Sequence, residues 1–461
     1  MMSRTSTDKS DFTQGSILQN IVRMAIPMTA AVLINALYSI VDRIYLGHIP
    51  DAGASALTGV GLAFPIITII TAFQNLFGNG GAPLFAIARG KGRNDLASKY
   101  LSNAAFMLIS VGLVLTAVSY LLKGRILWLI GASAETFPFA DDYLDVYLIG
   151  TVFVMVSVGL NPYINAQGAA KTGMMTVLIG AVINILLDPL FIFTFGMGVR
   201  GAALATVIAQ FVSAAWVLLF LMGRRAKVRL SFSGFKVDFP TIRKIMSLGV
   251  TEFCFALTNS AVSMACNGML SRMGGDAWVG AMTVMASLRE VLFAFVHGVA
   301  GASKPIMSYN YGARRFDRTK STINIMLSIL LVYYILTWAI LMRFPASLAG
   351  LFTEDRNVIE CSVISIRIFF SLQFFMAFQS VGQGAFTSLG MAKHALFFSL
   401  FRKAILVIPL VLILPHLFGL GVYGVFAAEP ISDVIGGLSC YVTMRFATRR
   451  KLSEGAAVLE V

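Results

Sequence analysis

Cysteine, histidine and charge are all scarce in this chain, and each scarcity removes a class of protein. The four cysteines, Cys254, Cys266, Cys361 and Cys440, include no close pair, so neither a disulfide framework nor a zinc-ligand spacing is present. The four histidines, at 48, 297, 394 and 416, are equally scattered. A solitary one in an apolar stretch, such as His297, reads as packed rather than as a ligand. Gly59-Val60-Gly61 lacks the third glycine of a dinucleotide loop and lies inside an apolar run. No catalytic triad, phosphate loop or metal motif occurs, which removes the ordinary signatures of an enzyme. The first twenty residues, up to Asn20, are polar and lack the short apolar stretch and small-residue cleavage site of a removable signal peptide. The amino terminus is therefore expected to stay attached, and cytoplasmic.

What the chain has in excess is apolar surface: 57% of 461 residues are hydrophobic and 13% are charged. A soluble core of this length cannot bury so much, and buried helices of a soluble protein would carry polar residues at helical period. Stretches such as Ala104 to Leu122 and Ile405 to Leu414 have almost none. The apolar runs of the chain as a whole are long enough to cross a hydrocarbon core of about 30 Å, which takes roughly 20 residues of helix. The hydropathy pattern predicts twelve spans, near 21–47, 57–80, 97–122, 141–163, 172–195 and 200–222, then 243–271, 279–300, 319–343, 359–384, 395–415 and 421–445. The fold class is all-α, and the solvent is a lipid bilayer.

The formal charge of +14, from 36 Lys and Arg against 22 Asp and Glu, would suggest nucleic acid in a soluble chain. Here the basic residues fall in short clusters between alternate apolar runs, the positive-inside pattern of cytoplasmic loops, so no nucleic-acid partner is expected. One side receives Arg89 to Lys99, Lys171, Arg224 to Lys244, Lys304 to Lys320, Lys393 with Arg402 and Lys403, and Arg445 to Lys451. The other holds chiefly Lys123, Arg125, Arg200, Arg272, Arg343 and Arg356. Both termini then lie in the cytoplasm of a multi-pass plasma-membrane protein.

The chain matches itself at an offset of roughly 222 to 225 residues. Leu33-Ile34-Asn35-Ala36 faces Leu257-Thr258-Asn259-Ser260. Pro83, Gly90, Arg93 and Asp95 face Pro305, Gly312, Arg315 and Asp317. Gly168 to Lys171 faces Gly390 to Lys393, and Gly198 to Gly201 faces Gly421 to Gly424. Each repeat holds six spans, an even number, so the two halves are parallel repeats, a plan that places a transported molecule between halves that rock. The expected divisions are a cytoplasmic segment 1–20, a first lobe 21–222, a linker 223–242, a second lobe 243–445 and a tail 446–461.

A carboxylate at mid-bilayer costs on the order of 3 kcal/mol and asks for a reason. Asp42 follows Asn35 by seven residues and Tyr38 by four, which puts the three on one helix face. Asp188 has Asn184 one turn before it and Pro189 after it. That proline has no N–H for the carbonyl of Ile185, so this oxygen is left for water or an ion. With Thr206 on the next span, these oxygens suit a proton or a hard cation such as Na⁺ at Asp42 and Asp188. The plainer alternative is that either acid sits near a helix end and snorkels or forms an ion pair, for instance Asp42 with Arg43. In the second half Cys266 and Leu410 stand where the two acids would be, and Glu252, Glu290, Glu429 and Asp433 appear instead. Glu252 and Asn259, again seven apart, are candidates for a cationic substrate, and Arg289 beside Glu290 suggests a local ion pair. The 36 Phe and 22 Met can line a deformable apolar cavity, although packing and lipid contact account for most of them.

From about Ile21 to Arg445 the chain resembles the multidrug and toxic compound extrusion (MATE) transporters, and within them the bacterial MepA-like branch. The resemblance is carried by Val41-Asp42-Arg43-Ile44-Tyr45-Leu46-Gly47, Asn184 to Pro189, Gly198 to Thr206 and the paired glycine-basic loops after the second and eighth spans. It implies a V of two six-helix lobes that exchanges Na⁺ or H⁺ for organic cations. It also implies a first-lobe cation site at Asp42, Asn184, Asp188, Thr206 and Asn161. From their helical spacing, Asn35, Tyr38, Glu252 and Asn259 are expected to face substrate. The coupling ion is then the only cofactor expected, small cationic molecules are the substrates, and the working unit is a monomer. A second-lobe cation site known in some members has no securely placed acids here. The competing function is a lipid-linked oligosaccharide or lipid flippase of the same superfamily. A membrane-embedded enzyme or receptor would need a catalytic constellation or an extramembrane domain, and the sequence shows neither.

Overall fold

The structure is a computed structural model that describes residues 10–50, 52–231, 236–417 and 419–457. The expected segment 1–20, linker 223–242 and tail 446–461 therefore lie partly outside the described residues. The spans are α1 (Ile17–Gly47), α2 (Gly53–Gly90), α3 (Asn94–Leu129), α4 (Phe137–Asn165), α5 (Ala170–Thr194) and α6 (Gly198–Met222). They continue with α7 (Phe239–Met273), α8 (Asp276–Gly312), α9 (Phe316–Arg343), the broken α10 (Arg356–Phe369 and Gln373–Ser388), α11 (Ala392–His416) and α12 (Val422–Ala457). Among the described residues eleven helices are long and apolar enough to cross a membrane, and the two parts of α10, bent by 48°, make the twelfth if they count as one span. The fold is all-α with two six-helix halves.

Most helices outrun their apolar stretches, because polar residues beyond the hydrocarbon continue the helix where no breaker intervenes. Thus α2 runs on to Gly90 and α8 to Gly312, and Lys304 stands on a helix rather than in a loop. The break in α10, expected as one continuous span, falls at Ser371. Its hydroxyl donates back to the Ile368 carbonyl at 2.8 Å, which competes with the helical ladder.

The duplication is also written in the backbone. Gly168 (φ 80°) and Gly390 (φ 69°) occupy the same left-handed turn after the fourth and tenth spans. After α2 the turn is at Gly92 (φ 71°), and its counterpart after α8 is Arg314 (φ 57°), the one non-glycine residue at positive φ among the described residues. Both turns close alike, with Arg93 N donating to Ala88 O at 3.0 Å and Arg315 N to Asn310 O at 2.9 Å. An L-residue with a Cβ pays for this conformation.

The chain forms two compact units, one built on Ile26–Glu252 and the other on Phe12–Ala25 with the chain from Phe253 onward. In the first, α2 and the start of α7 approach until a Cβ on Gly249 would overlap the Leu76 carbonyl, and one on Gly80 would crowd Gly249. Only glycine permits that approach. In the second, the segment before α1 is held by side chains: Asn310 Nδ2 donates to Phe12 O at 3.1 Å, and Arg318 donates to the carbonyls of Phe12, Gln14 and Gly15.

Candidate functional site

The first half gathers its polar groups where α1, α5 and α6 bring acceptor oxygens together. Asp188 is fully buried and Asn184 is 2% exposed. One helical turn apart on α5, they meet through Asn184 Nδ2, which donates to Asp188 Oδ1 at 3.2 Å and to Thr206 Oγ1 on α6 at 3.2 Å. The Thr206 hydroxyl spends its own proton on the Ala202 carbonyl at 3.0 Å, so it faces Asn184 as an acceptor. The carboxyl of Asp42 comes from α1 into hydrogen-bonding contact with that of Asp188. Asp42 Oδ1, Asp188 Oδ2 and Asn184 Oδ1 are buried and take no hydrogen bond from a protein donor among the described residues.

The chemistry of this donor set is narrow. Ionised carboxylates only accept, so two of them can meet only if a proton or a cation lies between them. Buried oxygens without donors are costly, and both a proton and a small hard cation answer that cost with the oxygens present here. Among the described residues no three His, Cys, Asp or Glu converge, and a soft transition metal has no ligand set. Arg43 lies within electrostatic reach of Asp42 but forms no ion pair with it among the described residues: neighbours on a helix point about 100° apart, and its guanidinium lies over the Phe64 ring at 5.3 Å.

Three further residues border the pair and escaped the sequence reading. Tyr143 on α4 lies within electrostatic reach of both carboxyls, as Tyr38 does. Tyr143 stacks on Tyr147 at 5.5 Å, and Tyr147 lies beside Gln210 on α6. The signal was available as spacing: Tyr143 and Tyr147 are one turn apart, and Gln210 is one turn after Thr206. The π-helical turn over Leu190–Thr194 directly after Pro189 is a second feature of the site. The missing N–H of Pro189 removes one rung of the ladder, and the helix widens where the rung is lost.

Other expected members stand apart. Asn161 Nδ2 donates to Gly173 O at 3.0 Å, and its Oδ1 accepts from Asn165 at 3.4 Å. Gly173 precedes Asp188 by fifteen residues on α5, roughly 22 Å of helix rise, so Asn161 does not reach the carboxyl pair. Asn35 is exposed on α1, while Glu252 and Asn259 are half-buried on α7.

In the second half, three readings of charge need correction. Arg402 and Lys403, counted with the loop charges, lie within α11 in a π-helical stretch over Phe401–Val407 and are 5% and 2% exposed. They bind the acids of α12: Lys403 Nζ is 2.7 Å from Glu429 Oε1, and Arg402 Nη1 is 3.1 Å from Glu429 Oε2 and 2.9 Å from Asp433 Oδ1. Arg289 turns away from the exposed Glu290 and reaches Glu429 at 3.3 Å. Hydropathy could not find this cluster, because long apolar flanks hide charges that pair with one another across helices. Glu429 thus serves three cations at once.

The MatE family model matches twice, over residues 27–190 and 254–413. The chain belongs to that family, whose members are transporters rather than enzymes. The multidrug export protein MepA of Staphylococcus aureus is 23% identical over 435 residues, covering 94% of this chain and 95% of that one. A multidrug resistance MATE family transporter in an outward-facing conformation superposes with a TM-score of 0.90 at 22% identity, covering 98% of this chain and 100% of that one. A MATE in a bent conformation superposes at 0.92, with the same identity and coverage.

Proposed function

We propose that the protein is a secondary active antiporter that exports lipophilic organic cations in exchange for H⁺ or Na⁺ by alternating access. The observation that carries this reading is the contact between the carboxyls of the half-buried Asp42 and the buried Asp188. The similarity to proteins named for multidrug export supports the direction and the substrate class. In this reading Asn184 and Thr206 hold Asp188 in place, Tyr38, Glu252 and Asn259 meet the cationic substrate, and both termini of a monomer lie in the cytoplasm.

The coupling follows from charge. A proton or Na⁺ between the carboxyls makes their contact attractive. Its release leaves two anions which, about 4 Å apart at an effective dielectric of about 20, repel by about 4 kcal/mol. That corresponds to roughly a thousand-fold change in an equilibrium between a contact and a separated arrangement of α1 and α5. The π turn after Pro189 is the natural place for α5 to yield. Reconstitution into vesicles with an imposed pH or Na⁺ gradient tests this. One of the two gradients should drive an ethidium-like dye across the membrane, and collapsing it should stop the movement. Dye flux indifferent to both gradients would sink the antiport reading, and transfer of a lipid-linked sugar in its place would make the protein a flippase.

A further inference from the structure

In the first half, the groove between the start of α3 and the end of α6 is filled by the chain that follows α6. The Ser98 hydroxyl donates to Arg229 O at 3.1 Å and the Ser102 hydroxyl to Ser231 O at 3.0 Å. Leu230 N donates to Leu221 O at 2.9 Å, and Ala226, Val228 and Leu230 are buried. The one base of α3 that faces this cover, Lys99, is neutralised by Asp238 at 3.0 Å. A Thr241 hydrogen bond together with that Lys99 ammonium holds the Asp238 carboxyl below the usual carboxylate range.

The duplicated chain has the same groove in the second half, between the start of α9 and the end of α12. There the equivalent cover is missing among the described residues, because α12 continues as helix to Ala457 instead of turning away as α6 does at Met222. The groove becomes a pocket of about 830 Å³. Its lining is strongly basic: Arg314, Arg315, Lys320, Arg445 and Arg449 against the single acid Asp317. Arg445 is steadied by Asn324 Oδ1 at 3.0 Å, while Lys320 makes only a loose contact of 3.9 Å with the fully exposed Asp317. Arg314, Arg315 and Arg449 form no ion pair among the described residues. Arg314 is also the strained residue of the α8–α9 turn, where the first half has Gly92.

An independent observation points to a ligand. Thr448 lines the same pocket one turn before Leu452, is 5% exposed, and its Oγ1 has no hydrogen-bond partner. A buried donor left unpaired beside several guanidinium forks suits an acceptor-only, multiply oxygenated anion. The pocket opens at helix ends, where membrane-spanning segments meet lipid headgroups. On the same stretch of α12, Phe446 (69% exposed) and Val442 (49% exposed) present apolar surface. An amphiphile fits this arrangement better than a free ion.

We propose that the pocket between α9 and α12 binds the phosphate headgroup of an anionic phospholipid, whose acyl chains run along Phe446 and Val442. The assignment is independent of what the protein transports. Native mass spectrometry and thermal unfolding of the purified full chain, with phosphatidylglycerol or phosphatidylcholine added to detergent, test it. Phosphatidylglycerol should be retained and raise the unfolding temperature, and phosphatidylcholine should do neither. Replacing two bases, Arg445→Gln with Arg449→Gln, should weaken retention roughly thirty-fold. Thr448→Val, which keeps shape and charge, should weaken it to a smaller extent. The matched pair Arg224→Gln with Arg225→Gln removes the same charge from the first half and should leave retention unchanged. Each variant is compared with wild type for its lipid-free unfolding temperature, so that a misfolded variant is recognised. Equal loss from both double variants, or equal retention of phosphatidylcholine, overturns the site. Stabilisation by inorganic phosphate or glycerol phosphate alone, to the same degree, overturns the lipid.

Discussion

Asn184 Nδ2 lies 3.2 Å from Asp188 Oδ1, donated from one turn below on the same helix, so the buried carboxyl is oriented by its own helix and presented to Asp42. Asp42→Asn and Asp188→Asn each keep the shape and remove the charge. Gradient-driven dye efflux should fall to background in both, with membrane insertion and unfolding temperature preserved. Asp95→Asn, at the exposed start of α3, should transport normally. Wild-type flux and unchanged ion dependence in Asp188→Asn would place coupling elsewhere, with Glu252 as the next candidate.

Thr206 contributes only as the acceptor for Asn184. Thr206→Val removes that acceptor at nearly constant volume, at a cost of about 1 kcal/mol. The expected outcome is a several-fold higher concentration of driving ion for half-maximal efflux, with maximal efflux retained. A fall in maximal rate with no change in ion dependence would assign Thr206 to packing alone.

The charge cluster of the second half should behave as a structural unit. Glu429 pairs with Lys403, Arg402 and Arg289, so Glu429→Gln strands buried cations, a loss on the order of 3 kcal/mol. A clear drop in unfolding temperature is expected, against no measurable change for Glu290→Gln on the exposed side of α8. Equal stability of the two variants would show that the cluster is solvated.

Helix packing in the first unit makes a simpler prediction. A Cβ at Gly249 meets the Leu76 backbone, which cannot rotate away, whereas Gly268 on the same helix has open space around it. Gly249→Val should cost about 1–3 kcal/mol or more, and Gly268→Ala should be neutral or stabilising because alanine favours helix. Thermal unfolding of the two variants distinguishes them.

Topology can be read by thiol labelling. With both termini cytoplasmic, Ala134→Cys in the exposed α3–α4 turn should react from outside intact cells, and Arg229→Cys only after permeabilisation. The reverse pattern would invert the protein in the membrane.

Much of this molecule was legible before any coordinates. Apolar runs of bilayer length have only one solvent and one backbone solution, so the all-α membrane fold and its spans followed from composition and hydropathy. The repeat followed from matched residues such as Gly168 and Gly390, which recur because the same left-handed turn is needed twice. Asp42 and Asp188 were conspicuous because a carboxylate in an apolar run is expensive wherever it points.

What the sequence could not decide was which side chains meet across helices. Asp42 and Asp188 are 146 residues apart, and only the packing of α1 against α5 puts their carboxyls in contact. The same is true of Arg402, Lys403 and Arg289 with Glu429. In sequence they are loop charges and an adjacent pair, but in the fold they form one ion-paired cluster, because attraction at 3 Å in a low dielectric outweighs neighbourhood along the chain. Asn161 fell away for the converse reason. It shares the polar character of the site residues, but the rise of α5 sets it about four helical turns from Asp188. Side-chain period tells which residues share a face, and tertiary packing alone chooses what that face meets.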